Sequence, residues 1–271
     1  MSNISVIIPI HEFNEDISKY LDKAIESIIK QEKINELPKI VIVYAEAIEE
    51  NIINYKDSLK FGDKLDITLL KNEGKTDYQS QVNLAVKSIE VDYFSVLEFD
   101  DEYAISYFKN VEQYIKTYKD IDVFLTIIIE SNEKNEAMKF ANETVWAQQF
   151  VGENGEIGYL NINVLKQYSD FKLSGAVIKK SEFLNIGGYK SNILLTFMYE
   201  FLLRAVNNGC KIFTIPKLGY KHIMNRSGSL FDGYLKSMPM PERKFWFETA
   251  HKESNFTNDR IIDTSKITKI V

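Results

Sequence analysis

Ser5-Val-Ile-Ile-Pro-Ile10 is a short, unbroken apolar run, the pattern of a central strand covered on both faces. It is followed by Ile17, Tyr20, Leu21, Ala24, Ile25, Ile28 and Ile29, whose steps of three and one predict an amphipathic helix. Asn14 suits its N-cap, and Glu15 and Asp16 suit the positive end of its dipole. A second strand is predicted over Lys39–Tyr44, a helix over Ala47–Lys60 and a third strand over Asp66–Lys71. A helix over Tyr78–Glu90 and a fourth strand over Asp92–Phe99 come next. This alternation predicts an α/β fold with a mostly parallel, doubly wound sheet and helices on both faces.

The second half is less regular. VFLTIII (Val123–Ile129) reads as a strand, followed by a polar stretch over Glu130–Glu143 and a glycine-containing loop over Val151–Tyr159. Ser174–Lys179 reads as a strand, Gly187-Gly188-Tyr189 as a tight turn, and Thr196–Asn207 as a helix that Gly209 stops. Lys211–Pro216 is a late strand; loop follows until a helix near Pro241–His251. No repeat or linker divides the chain. One domain over 1–230 is expected, with a donor half to about 102, an acceptor half from about 103, and a helical C-terminal extension over 231–271.

In open α/β sheets, ligands bind beyond the carboxyl ends of the strands. Those ends carry Ile10-His11-Glu12, Tyr44-Ala45-Glu46, Lys71-Asn72-Glu73-Gly74, and Glu98 to Glu102 within LEFDDEY. The last puts Glu98, Asp100, Asp101 and Glu102 on the rim, where hard cations find oxygen ligands. A rival reading has Asp100 or Asp101 capping a helix over Tyr103–Tyr118, a contribution of about 1 kcal/mol. Capping gives no reason for Glu98 within the strand.

Charge and composition narrow the field. The net charge of −6 argues against broad nucleic-acid binding. Cys210 to Lys252 nevertheless holds eight Lys/Arg against three Asp/Glu, a locally basic segment in an acidic chain. It reads either as a phosphate-binding lid or as a solvated helix face. A single cysteine, Cys210, excludes an internal disulfide and fits a reducing compartment. The N-terminus lacks a signal-peptide pattern and no apolar run reaches the ~20 residues of a membrane span, so a soluble, cytoplasmic protein is expected.

Several segments, in order, resemble the inverting family 2 glycosyltransferases of the GT-A fold. SVIIPIHEFNEDISKYLDKAIESIIKQ resembles the opening strand and helix, and NEGKTDYQSQVNLAV the Asn-x-Gly segment with a recurrent Asn, here Asn83. YFSVLEFDDEY resembles the strand ending in the Asp-x-Asp metal motif, with Glu98 in the first acidic place. LSGAVIKKSEFLNIGGY, FMYEFLLRAVNNGCKIFTIP and KHIMNRSGSL resemble the acceptor-side strand and Gly-Gly turn, the acceptor-side helix, and the C-terminal loop over the diphosphate.

The resemblance implies transfer of a sugar from a nucleoside diphosphate donor, expected to be uridine-linked, to a hydroxyl acceptor, with Mn or Mg as cofactor. Pro9, His11, Glu12, Tyr44, Glu46, Asn83, Glu98, Asp100, Arg226 and Ser227 are then expected at the nucleotide sugar. Asp100, Asp101 and His222 are expected at the metal. Two departures stand out. The acidic pair after the second strand is replaced by YAEA, leaving Glu46, and Phe197-Met198 stands where the family carries Glu-Asp, leaving Glu200 as the base. A module that has lost catalysis and serves as a binding or structural part of an assembly is therefore the rival reading, and a homo-oligomer is left open. A nucleotidyltransferase fits less well, because HEFNED is acidic where that class needs a glycine-rich, basic phosphate loop.

Overall fold

The computed structural model describes residues 3–59, 64–224, 226 and 229–252. The first half alternates as its pattern predicts: β1 (Ile4–Ile10), α1 (Glu15–Ile29), β2 (Lys39–Ala45), α2 (Glu49–Ser58), β3 (Ile67–Asn72), α3 (Tyr78–Ser88) and β4 (Tyr93–Val96). Asn14 caps α1, its Oδ1 accepting from the Asp16 and Ile17 amides at 3.0 Å each. The second half adds β5 (Glu102–Tyr103), α4 (Tyr107–Thr117), β6 (Val123–Ser131), β7 (Ala137–Ala141), β8 (Tyr159–Leu160), α5 (Ile162–Gln167), β9 (Val177–Lys179) and α6 (Lys180–Asn185). The chain then forms α7 (Phe197–Asn207), β10 (Ile212–Ile223), α8 (Leu230–Ser237) and α9 (Met240–Lys252).

These strands make one 10-stranded sheet in the order β3-β2-β1-β4-β9-β6-β10-β5, with β7 on β6 and β8 on β10. Strands β1, β2, β3, β4, β6 and β10 point one way; β5, β7, β8 and β9 run against them. The chain winds outward from β1 to β3, then returns to place β4 on the other side of β1. Such a reversal opens a crevice at the carboxyl ends of the two strands, here at His11 and Glu98.

Side-chain alternation along the strands divides the core. Val6, Ile8, Ile40 and Ile42 join the layer under α1, α2 and α4. Ile7, Val41, Val43, Phe94 and Val96 join the layer under α3, α5, α6 and α7. Helix α9 packs in the second layer through Trp246 and Ala250. The part of the expected extension beyond Lys252 lies outside the described residues.

Three elements differ from the pattern reading. The expected helix over 103–118 begins at Tyr107, because Glu102 and Tyr103 pair with Lys221 and Tyr220 of β10. Strand pairing takes the residues that a helix start would have used, so neither Asp100 nor Asp101 is its cap. The polar stretch after β6 contains β7, whose Met138 and Phe140 are exposed and whose short apolar run lies between polar segments. Strand β10 runs through Pro216 to Ile223, tolerating the proline at irregularities between Ile215 and Tyr220.

Candidate functional site: an acidic rim closed by His222 and Arg226

Strand β4 stops at Val96, and the chain turns at once: the Asp101 amide donates to the Glu98 carbonyl at 3.0 Å. The alternation that would have paired Glu98 with Asp100 therefore ends before it reaches them. The turn brings Glu98 and Asp101 together instead. Tyr220 supports the turn, its hydroxyl accepting from the Glu98 amide at 3.1 Å. Gly175, at φ +63, leaves room for that ring: a Cβ there would lie 2.3 Å from it.

Asp101 is fully buried and fully engaged. One oxygen accepts from the Ile223 amide at 2.8 Å, and the other lies 2.9 Å from His222 Nδ1. Glu98, Asp101 and His222 each offer a ligand atom, all within 4.8 Å of one another. Burial, followed by the Asp101 charge, pushes the Glu98 carboxyl up to about 7. Burial alone would lower His222, but Asp101 and Glu98 reverse this and raise it to about 9. Two crowded carboxylates and an imidazole fit a divalent cation, which would relieve the repulsion and displace the imidazole proton.

Asp100 turns elsewhere. Its Oδ2 accepts from Arg226 Nε at 2.5 Å. The Arg226 guanidinium lies 5.0 Å from the Phe99 ring centre and 5.6 Å from that of Tyr20, and its side chain is 8% exposed. Burial and the neighbouring Asp101 raise the Asp100 carboxyl, against the pull of Arg226. His11 sits at the end of β1 with its ring centre 6.3 Å from that of Phe99. Burial lowers its pKa, with Arg226 acting in the same direction.

The other expected residues divide between rim and scaffold. Pro9 is buried within β1, and Glu12 is exposed beside His11 at 3.7 Å. At the β2 end, the Tyr44 hydroxyl donates to Glu49 at 3.3 Å, while Glu46 is 3.7 Å from the Lys71 ammonium. Asn83 spans from α3 to the Gly-Gly turn, taking the Tyr189 amide at 2.8 Å and donating to its carbonyl at 2.7 Å. Gly188 there has φ +65, and a Cβ would come within 2.5 Å of Asn83 Oδ1. Ser227 lies outside the described residues.

Glu200 is 2% exposed and not on an open helix face; both its oxygens accept from Arg204, at 2.6 and 3.1 Å. Arg204 in turn donates to the Ile186 and Gly188 carbonyls. Phe197 is buried among Tyr78 and Tyr189.

Pattern reading missed Glu130, Lys172 and Ser174. Ser174 Oγ donates to Glu98 at 3.3 Å, and the buried Glu130 sits beside His222 on the neighbouring strand. Glu130 directly follows the run Val123–Ile129 that reads as a strand, so the rule that flagged the other strand ends would have flagged it too.

Solved structures share this architecture at low identity. S. aureus TarS (residues 1–349), in complex with UDP-GlcNAc, matches with TM-score 0.67 and 16% identity, over 95% of this chain and 68% of that one. The mannosyltransferase PcManGT from Pyrobaculum calidifontis, with GDP-Man and Mn2+, gives 0.60 and 12%, over 92% and 64%. GalNAc-T7 with UDP, GalNAc and Mn2+ gives 0.57 and 17%, over 83% and 44%. These likenesses establish the GT-A fold. No curated protein matches the chain in sequence. The model of glycosyl transferase family 2 matches residues 5–173, more than half of the chain, and the chain belongs to that family.

Proposed function

We propose that the protein transfers a sugar, with inversion, from a uridine diphosphate donor to a hydroxyl acceptor, using a divalent cation held by Glu98, Asp101 and His222. The observation that carries this reading is the convergence of those three side chains at the carboxyl end of β4, beside the β1–β4 crevice of a family 2 fold. Donor and metal also accompany the relatives: TarS was solved with UDP-GlcNAc, and PcManGT and GalNAc-T7 with Mn2+.

When bound, the cation supplies positive charge against the departing diphosphate. The protein's own residues do the rest. Asp101, fixed by the Ile223 amide, keeps His222 oriented toward Glu98. Arg226 neutralises Asp100 and brings a guanidinium charge to the rim, the chemistry that suits a phosphate oxygen. His11 and Phe99 present planar faces at the β1 end for the nucleoside. Neighbouring strands lie about 4.8 Å apart, so a donor anchored at β4 extends its base across β1 toward Tyr44 at the end of β2 and Glu46 just beyond it. Glu200, engaged by Arg204, anchors the Gly-Gly turn; we assign it no proton transfer.

That last point favours a second reading, a family member that binds donor without transferring it. Phe197 and Met198 occupy the expected acidic positions, and Glu200 is locked in its ion pair. Titration calorimetry with UDP, with and without manganese, tests the binding step. Metal-dependent binding below millimolar concentration is expected, and its absence overturns both readings. Slow hydrolysis of a UDP-sugar by the metal-loaded protein then separates them, since a module that only binds shows no turnover.

A further inference from the structure

Beside the metal-ligand candidates lies a charged cluster that the reading above does not use. Glu130, at the end of β6, is fully buried and stands in register with His222 on the parallel strand β10. Paired residues on parallel strands project to the same face, so the two side chains are neighbours. Glu130 Oε1 accepts from the Lys172 ammonium, and Oε2 lies 3.3 Å from the Lys139 ammonium. Burial pushes the Glu130 carboxyl up, but the two lysines outweigh it and hold the pKa below its ordinary value. Two ammonium groups share one carboxylate, leaving the cluster with net positive charge. A buried ion pair adds little stability over a well-packed apolar pair, so stability alone gives weak reason to place it here.

Lys172 is also held by its backbone. Its amide donates to Asn142 Oδ1 at 2.8 Å, and its carbonyl accepts from Asn142 Nδ2 at 2.9 Å. Asn142 is itself buried and takes φ +63, a left-handed conformation that Asn tolerates. The lysine is thus fixed at both ends, with 29% of its side chain exposed. Two residues on, Ser174 touches Glu98. Lys172 is thus tied to the site on two sides: through Glu130, which stands in register with His222, and through Ser174, which meets Glu98.

We propose that Lys172, pinned by Glu130, is a phosphate-contacting residue that donates to an oxygen of the donor's diphosphate. A phosphate oxygen is the ligand chemistry that suits both a cation held by carboxylates and an adjacent ammonium. Lysine acts there as a point charge whose orientation has been settled before the ligand arrives, so little ordering remains to be done on binding. The assignment rests on the donor reading above and adds to Arg226 a second cation, supplied by a different part of the chain.

Titration calorimetry with UDP and, separately, with uridine, both in excess manganese chloride, tests it. Lys172→Met is expected to weaken UDP binding about tenfold or more, the scale of a lost charged hydrogen bond, and to leave uridine unchanged. Lys172→Arg keeps the charge and is expected to hold UDP affinity within about threefold. Unchanged UDP affinity in Lys172→Met overturns the assignment. So does an equal loss for UDP and uridine, which marks a purely structural residue. Should Lys172→Met fail to fold, the double variant Glu130→Gln/Lys172→Met removes both charges of the pair and carries the same comparison. A wild-type protein that ignores UDP altogether removes the donor reading, and this assignment with it.

Discussion

Asp101 has no exposed surface, yet it meets three demands: it accepts the Ile223 amide, orients His222 and faces Glu98. Asp101→Asn retains the shape and the acceptor toward Ile223 but removes the charge. It is expected to weaken manganese-dependent UDP binding at least about tenfold, because a neutral amide is a poor ligand for a hard cation. Calorimetry checks this, and unchanged affinity would remove Asp101 from the metal group. Cys210 shows the opposite case, a thiol packed into the core. Burial pushes its thiol up to about 11, so at pH 8 only about one molecule in a thousand is thiolate. Iodoacetamide should label it slowly in the native protein and rapidly in guanidinium, as mass spectrometry would show.

Among the elements, α7 and the Gly-Gly turn form one unit. Arg204 reaches from the helix to the Ile186 and Gly188 carbonyls, while Glu200 balances its charge and Asn83 grips Tyr189 from α3. Arg204→Leu leaves a buried carboxylate without its partner and two carbonyls without a donor. A loss of about 3–5 kcal/mol is expected in denaturant unfolding. Glu200→Gln/Arg204→Met, which removes both charges, should recover much of it. A loss below ~1 kcal/mol in Arg204→Leu would show that the pair is not holding the turn. Nothing in the spacing of Glu200 and Arg204 distinguishes this buried pair from an exposed i,i+4 pair. Only the packing of α7 decides it.

For the whole molecule, the C-terminal helix α9 belongs to the core. Trp246 is 5% exposed, and Phe247 stacks on Tyr199 of α7 at 5.2 Å between ring centres. Trp246→Ala is expected to cost about 3 kcal/mol and lower Tm by roughly 6–12 °C, read by circular dichroism. A shift near zero would mean that α9 is a loosely attached appendage. Among the described residues, no helix is long and apolar enough to cross a membrane.

The alternating half of the chain was legible because strand and helix periods are local: β1, α1, β2, α3 and β4 follow from residues close in sequence. The rim was legible too, since parallel strands share their carboxyl ends. Which acids meet was not. Glu98 joins Asp101 because β4 ends at Val96, and Asp100 goes to Arg226, a partner 126 residues away. Tyr103, at the start of the expected helix, pairs instead with Tyr220, and Glu102 before it meets Lys221, 119 residues away. Residue order alone settled the fold family and the acidic edge; long-range pairing of β10 with β5 and β6 decided which acids converge with His222, which serve the scaffold and which lysine stands beside them.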